Sequence, residues 1–294
     1  MDKFTEKKHF IGVDISKEKL DLALLTDPGK LKFQDKVVTN DFDGFDSIPQ
    51  WIEEHQCKLQ DCVFCMEHTG TYGLLFFAWL SHMKISFCVE PALKIKRSLG
   101  ITRGKNDQVD ARRIADYAFT QKLKLKQFIL PSDILLQLKQ LLTYREQLVR
   151  INSGLKNSIK SHYQYQRVSG LKSVSAEIEE MIADHESRIK RIDKQIFELI
   201  KSHEGLWKNF KLATSVTGVA LIIASNMLVT TNNFTCFDNG RQYACYSGIA
   251  PFPHESGTSI RGKTRVSHLA NKRIKTLLSN GANSAVHWDS EMKK

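Results

Sequence analysis

The chain has 294 residues, 41% of them hydrophobic and 26% charged, which excludes a disordered polyelectrolyte and allows about two domains with real cores. Its 43 Lys and Arg against 32 Asp and Glu leave a net charge of +11. A balance this basic points to a polyanionic partner, nucleic acid first.

The N-terminal third reads as strands with interposed helices. "HFIGVDIS" is a buried strand with Ile11 and Val13 on one side of the pleat and Asp14 near its end. "KLDLALLT" alternates Leu20, Leu22 and Leu24 with other residues, "DPGK" is a turn, and "LKFQDKVV" alternates again, which predicts a three-stranded antiparallel meander. "DFDGFDSIPQWIEEH" reads as a helix with a broken start. "CVFCMEH" is the next buried strand, ending at Glu67, followed by the loop "GTYG", the helix "LLFFAWLSHM" and the strand "ISFCVE". "PALKIKRSLG" is a helix with Pro91 at its first turn. The order is that of an α/β ribonuclease H-like domain, in which carboxylates gather at neighbouring strand ends.

The middle of the chain changes texture. Leu138, Leu142, Leu148, Ile151, Leu155 and Ile159, then Ile178, Ile182, Ile189, Ile192, Ile196 and Ile200, recur at helical spacings. They predict two long amphipathic helices joined near "RVSGLKS", a helical hairpin or antiparallel coiled coil serving as spacer or dimer surface. From Leu206 a third, mainly helical region follows: an apolar helix in "LATSVTGVALIIASNML", a Gly- and Ser-rich stretch with aromatics, and the basic helix "HLANKRIKTLLSNGANSAV". The expected domains are residues 1–130, 131–205 and 206–294.

Six cysteines include the pair in "CVFC". In a strand, Cys62 and Cys65 point to opposite faces and cannot grip one ion, so they read as small core residues of a reducing cytoplasm. "MDKFTEKKHF" lacks the apolar core of a signal peptide, and the runs "GLLFFAWL" and "VALIIA" are too short to span a bilayer. The expectation is a soluble cytoplasmic protein with no membrane partner.

Four carboxylates stand out by context. Asp14 and Glu67 end strands. Asp107 and Asp110, three apart in "RGKNDQVDARRIADYA", share a helix face about 5–6 Å apart. Singly, each is better explained by a turn, a loop cap or a surface ion pair with Arg103, Lys105, Arg112 or Arg113. Together they sit where a ribonuclease H-like fold gathers acids, and oxygen ligands from several carboxylates suit Mg²⁺ or Mn²⁺. Such ions serve phosphodiester cleavage. Asp116 lies about 240° round the helix from Asp110 and reads as surface.

"GVDISKEKLDLAL", "MEHTGTYG" and "GKNDQVDARRIADYA" resemble the three N-terminal blocks of the DEDD transposases of bacterial insertion sequences, a family that includes the Piv/MooV-type DNA invertases. The third block usually reads K-T-D-x-x-D-A; here Asn106 replaces the Thr. The resemblance implies a RuvC-like domain, with Asp14, Glu67, Asp107 and Asp110 on its four acidic positions.

"YSGIAPFPHESGTSIRGKTRVSHLANKRIKTLLSNGANSAV" carries Ser256 before Gly257, then Arg261, Lys263, Arg265, Lys272, Arg273 and Lys275 without an acid in 261–275. A serine can attack a phosphodiester and keep the bond energy in a phosphoserine link, and nearby cations take up the developing charge. Ser259 and Ser267 compete for the role; Ser267 reads as a helix N-cap. The block resembles the C-terminal transposase domain of the same family, whose proposed nucleophile falls on Ser256. The resemblance further implies a composite site assembled across subunits of a dimer or tetramer, and a structured non-coding bridge RNA that chooses the DNA targets. "TSVTGVALIIA" resembles the family's phosphate-facing turn, with Thr217 and Ala220 in place of a proline and a glycine, so that a packing helix is as good a reading. Relatives continue through a further basic helical stretch beyond "VHWDSEMKK", which implies a shortened copy.

The expectation is a site-specific DNA recombinase or transposase with a serine nucleophile and Mg²⁺-binding carboxylates, in which Lys105, Arg112, Arg113, Arg261, Lys263, Arg265, Lys272 and Arg273 hold nucleic acid. The alternatives are a metal-only junction nuclease, in which water attacks, and a non-catalytic nucleic-acid-binding remnant.

Overall fold

The computed structural model describes residues 4, 6–98, 106–169, 173–256, 260–267 and 269–291. The chain forms two compact units, residues 1–130 and 131–294.

In the first unit, β1 (His9–Ile15), β2 (Lys19–Asp27) and β3 (Lys32–Thr39) form the antiparallel meander. The segment after it splits into α1 (Phe42–Asp46) and α2 (Ile48–Glu54). Asp41 caps the first, accepting from Gly44 N at 2.8 Å, and Ser47 with Pro49 behind it makes the break. Then come β4 (Cys62–Glu67), α3 (Leu74–His82), β5 (Ser86–Glu90), α4 (Ala92–Ser98) and α5 (Asp107–Thr120). The sheet order is β3-β2-β1-β4-β5, with β4 parallel to β1 and β5 parallel to β4. This mixed sheet is the ribonuclease H-like arrangement that the element order anticipates.

Strand alternation gives the sheet two apolar faces. Ile11, Val13, Leu20, Leu22, Leu24, Cys62 and Phe64 join Phe45, Trp51, Phe76 and Trp79 in one cluster. Phe10, Val63, Cys65 and Cys88 join Ile114, Tyr117 and Ala118 of α5 in the other. Cys62 and Cys65 thus do face opposite ways, both buried. The second face brings α5 close because β1 carries Gly12 there: a Cβ at this position would lie 2.0 Å from Ala111 O and 2.3 Å from Ala115 N. Gly12 is required by that approach.

In the second unit, α6 (Asp133–Ser169) and α7 (Ser173–Lys201) pack along each other. Arg145 pairs with Asp193 at 2.5 Å and Lys156 with Glu186 at 2.6 Å; partners that rise along one helix fall along the other, so the pair is antiparallel. Leu138, Leu142, Leu148, Ile192, Ile196 and Ile200 share one apolar cluster with Leu206 and Phe210 of α8 (Glu204–Thr214) and Leu228 of α9 (Leu221–Thr230). Then follow α10 (Gly240–Ser247), β6 (Pro251–Ser256), β7 (Ile260–Val266) and α11 (Lys272–Trp288). The antiparallel β6–β7 pair lies in the stretch that reads in sequence only as Gly- and Ser-rich, because Pro and Gly mask its short strands. Among the described residues no helix is long and apolar enough to cross a membrane.

Candidate active site

The site grows from strand register. Asp14 and Asp21 are direct antiparallel partners on β1 and β2, so they share a face. On the other side of β1, Gly12 pairs with Cys65 and Val13 with Met66 in parallel, which makes Asp14 and Glu67 the next neighbours at the strand ends. Glu67 pairs in turn with Glu90 on β5. Four carboxylates therefore form a row, Asp21–Asp14–Glu67–Glu90, across four adjacent strands on the face that α5 covers.

Helix α5 adds two more. Asn106, which stands where the family pattern has Thr, caps it, accepting from Gln108 N at 3.2 Å. Asp107 and Asp110 both lie in the first turn, where the positive end of the helix favours carboxylates. Their charges reach the row: burial first, then Asp107, Asp110, Asp21 and Glu67, push the Asp14 carboxyl up to about 6. All four sequence-predicted acids thus belong to one electrostatic neighbourhood. Asp116 is not among Asp14's charged neighbours, and its carboxyl is raised by burial alone.

Asp21, Asp107, Asp110 and Glu90 are each paired with a cation. Lys19 Nζ lies 3.0 Å from Asp107 and 2.9 Å from Asp21, and these hydrogen bonds, Asp21's first, hold its ammonium above the usual lysine range. Arg113 Nη1 lies 2.9 Å from Asp110. At the far end of the row Lys94 neutralises Glu90 at 2.7 Å. Among the described residues no three His, Cys, Asp or Glu side chains form a ready-made metal-ligating group. The acids are neighbours rather than a closed coordination shell.

Asp21, Glu90 and Lys19 are missing from the sequence reading. Asp21 left a signal: with Leu20, Leu22 and Leu24 on one face of β2, it shares the other face with Ala23 and Leu25, and it is only 3% exposed. A buried acid opposite Asp14 follows once the β1–β2 register is fixed.

The cations expected on nucleic acid are dispersed. Lys105 lies outside the described residues. Arg112 forms a two-pronged pair with Asp35 of β3, its Nε at 2.9 Å. Arg273 donates to Leu142 O at 3.1 Å and pairs with Glu146 at 2.7 Å, tying α11 to α6. Lys263, Arg265 and Lys272 are exposed. Ser256 is the last residue of β6, with its backbone paired to Ile260; its side chain and that of Arg261 lie outside what is described, as does Ser259.

Two local expectations resolve. Ser267 does not cap α11: its hydroxyl accepts from Leu269 N at 3.0 Å in a turn, and Asn271 is the cap, accepting from Ile274 N at 3.2 Å. The turn in "SVTGVA" is spent on packing, because a Cβ on Gly218 would lie 2.2 Å from Gly281 O of α11.

A transposase family model of the DEDD type matches residues 11–165, and a model described as transposase IS116/IS110/IS902 family matches residues 211–294. The pilin gene-inverting protein of Moraxella bovis is 28% identical over 275 residues, 92% of this chain and 81% of that protein, and the Moraxella lacunata protein is equally similar. An uncharacterized 43.6 kDa protein of insertion element IS110 from Streptomyces coelicolor is 35% identical over 83 residues, 28% of this chain and 19% of its own. Among solved structures, Thermus thermophilus RuvC in complex with a Holliday junction substrate aligns at TM-score 0.30 and 11% identity, over 41% of this chain and 99% of its own. The chain belongs to the DEDD-type IS110 transposase family and is a DNA transposase.

Proposed function

We propose that this transposase cuts and rejoins DNA through Ser256, with a divalent cation, Mg²⁺ or Mn²⁺, held by Asp14, Glu67, Asp107 and Asp110. The observation that carries the metal reading is the register that sets Asp14 beside Glu67, with both first-turn acids of α5 among Asp14's charged neighbours. The donor set fits: all four are carboxylates, the hard oxygen ligands such ions prefer, and their mutual repulsion is the field a cation relieves. A bound ion would polarise the scissile phosphate and stabilise the leaving oxygen.

The chain's own part in the reaction is specific. The Ser256 oxygen forms a bond to phosphorus as the ester bond to the leaving DNA oxygen breaks; the serine loses its proton and the leaving oxygen gains one. The phosphoserine link holds the DNA end until the reverse attack rejoins it. Lys263, Arg265 and Lys272 are exposed and suited to backbone contacts, as is the basic residue Arg261 by sequence. Arg112, Arg113 and Arg273 would have to leave carboxylate partners to do the same.

The relatives named for pilin gene inversion support DNA rearrangement as the outcome. The family resemblance supports a guide RNA and a homo-oligomeric assembly, and the net charge of +11 suits the nucleic-acid partner. The test is an incubation of the protein, co-purified RNA included, with DNA flanking its own reading frame. Wild type gives a protein–DNA adduct on a denaturing gel; Ser256→Ala binds the DNA and gives none. An adduct that survives in Ser256→Ala, or free cut ends without any adduct in wild type, contradicts the serine assignment.

A further inference from the structure

The acidic neighbourhood already contains a cation of its own. Lys19 opens β2, and its backbone is fixed by the β1–β2 turn: Ser16 Oγ donates to Lys19 O at 2.8 Å, and Lys19 N donates to Ser16 Oγ at 3.2 Å. Asn40 Nδ2 reinforces the turn by donating to Ser16 O at 2.9 Å. From this anchored root the ammonium reaches Asp21 and Asp107, 86 residues further along the chain than its first partner. The two partners differ in freedom. The Asp21 side chain is 4% exposed and has nowhere to turn, whereas that of Asp107 is 54% exposed at a helix start. The Asp21 bond is therefore confined, and the Asp107 bond is the freer to exchange.

We propose that Lys19 is a positioning residue that stands in for the divalent cation, holding Asp107 against the carboxylate row until the ion displaces it. The inference rests on the metal reading above. On ion binding Asp107 turns from the ammonium to the ion, and Lys19 stays on Asp21. No covalent bond changes. Lys19 thereby keeps the first turn of α5 in place despite like charges on Asp14 and Asp110, and it lowers the affinity of the site for the ion. This also explains why the acids lie together without forming a closed coordination shell: Asp107 is committed to Lys19, as Asp110 is to Arg113.

The test is Mn²⁺ binding to the full chain, followed by electron paramagnetic resonance, with thermal melts in chelator alongside. Lys19→Met is expected to bind Mn²⁺ about ten-fold more tightly, the effect of removing one positive charge roughly 6 Å from a divalent ion in a largely aqueous setting. Its metal-free melting temperature falls, and its gain on adding Mn²⁺ grows. Lys19→Arg keeps the charge and the wild-type affinity. A purely structural lysine would lower the melting point of Lys19→Met and leave Mn²⁺ affinity unchanged or weaker, and that result overturns the proposal. Should Lys19→Met fail to fold, Lys19→Gln removes the charge while keeping a hydrogen-bond donor, and the same affinities decide. Asp14→Asn separates the two readings. If wild type binds Mn²⁺ and Asp14→Asn does not, the metal reading stands and the Lys19 variants judge Lys19 alone. If wild type binds no Mn²⁺, the metal reading fails and this proposal with it.

Discussion

Asp14 has Glu67, Asp107 and Asp110 among its charged neighbours. Its carboxyl sits at about 6, against 3.8 ordinarily, because burial and then Asp107, Asp110, Asp21 and Glu67 disfavour its charged form. The folded state therefore favours a protonated Asp14. That contribution is fully present below about pH 4, is lost as pH rises toward 6, and is absent above it. Asp14→Asn, measured in chelator, is expected to match wild type near pH 4 and to exceed it at pH 8. The gain at pH 8 should be about 1–2 kcal/mol, since part of the shift is screened by solvent. Denaturant titrations at the two pH values check this; equal stabilities at pH 8 would remove the repulsion from the account. Metal affinity should also fall as pH drops through 6, because the ligand must be ionised. At this scale the sequence was half legible. Asp14 and Glu67 stand at strand ends and Asp107 and Asp110 share a helix face, all of which are local facts. Lys19 and Asp21 enter the site through the pairing of β1 with β2 and the docking of α5, which no local pattern displays.

The decisive element is α5, and Gly12 is its seat. Gly12→Val would drive side-chain atoms into Ala111 O and Ala115 N, backbone atoms that cannot swing aside. The expected loss is about 3 kcal/mol or more, at the upper end of overpacking costs, with Mn²⁺ binding lost in the same variant. Unchanged stability in a thermal melt would show that α5 does not rest on β1 as described. Arg112 pins the same helix to β3 through Asp35, over the Phe33 ring at 6.0 Å. Arg112→Ala is expected to cost about 1 kcal/mol, typical of a partly exposed two-pronged pair, and to leave the salt dependence of DNA binding unchanged. A weaker salt dependence would return Arg112 to the phosphate contacts. Most of the elements were legible, because alternation and caps are local. The β6–β7 pair was not, since "PFPHES" and "IRGKTRV" carry Pro and Gly where strands usually carry β-branched residues. The partners of Arg112 and Arg273 were not either, since each lies 77 or more residues away along the chain.

For the whole molecule, the net charge of +11 sets how DNA is held. Binding should weaken linearly in log–log form with salt, and neutralising Lys263, Arg265 or Lys272 should lower the slope by about one each. Fluorescence anisotropy across a salt series measures it, and slopes identical to wild type would place the DNA elsewhere. On the proposed reading Asp14, Glu67, Asp107 and Asp110 act as one metal-binding unit in strand cleavage. It is tested most directly by Mg²⁺-dependent cleavage of DNA flanking the reading frame, by wild type and by Asp14→Asn, Glu67→Gln, Asp107→Asn, Asp110→Asn and Asp116→Asn. Each of the first four is expected to lose roughly a hundred-fold or more while DNA binding persists, and Asp116→Asn to cleave as wild type does. Wild-type cleavage by any one of the four, or a loss in Asp116→Asn as deep as theirs, would contradict it.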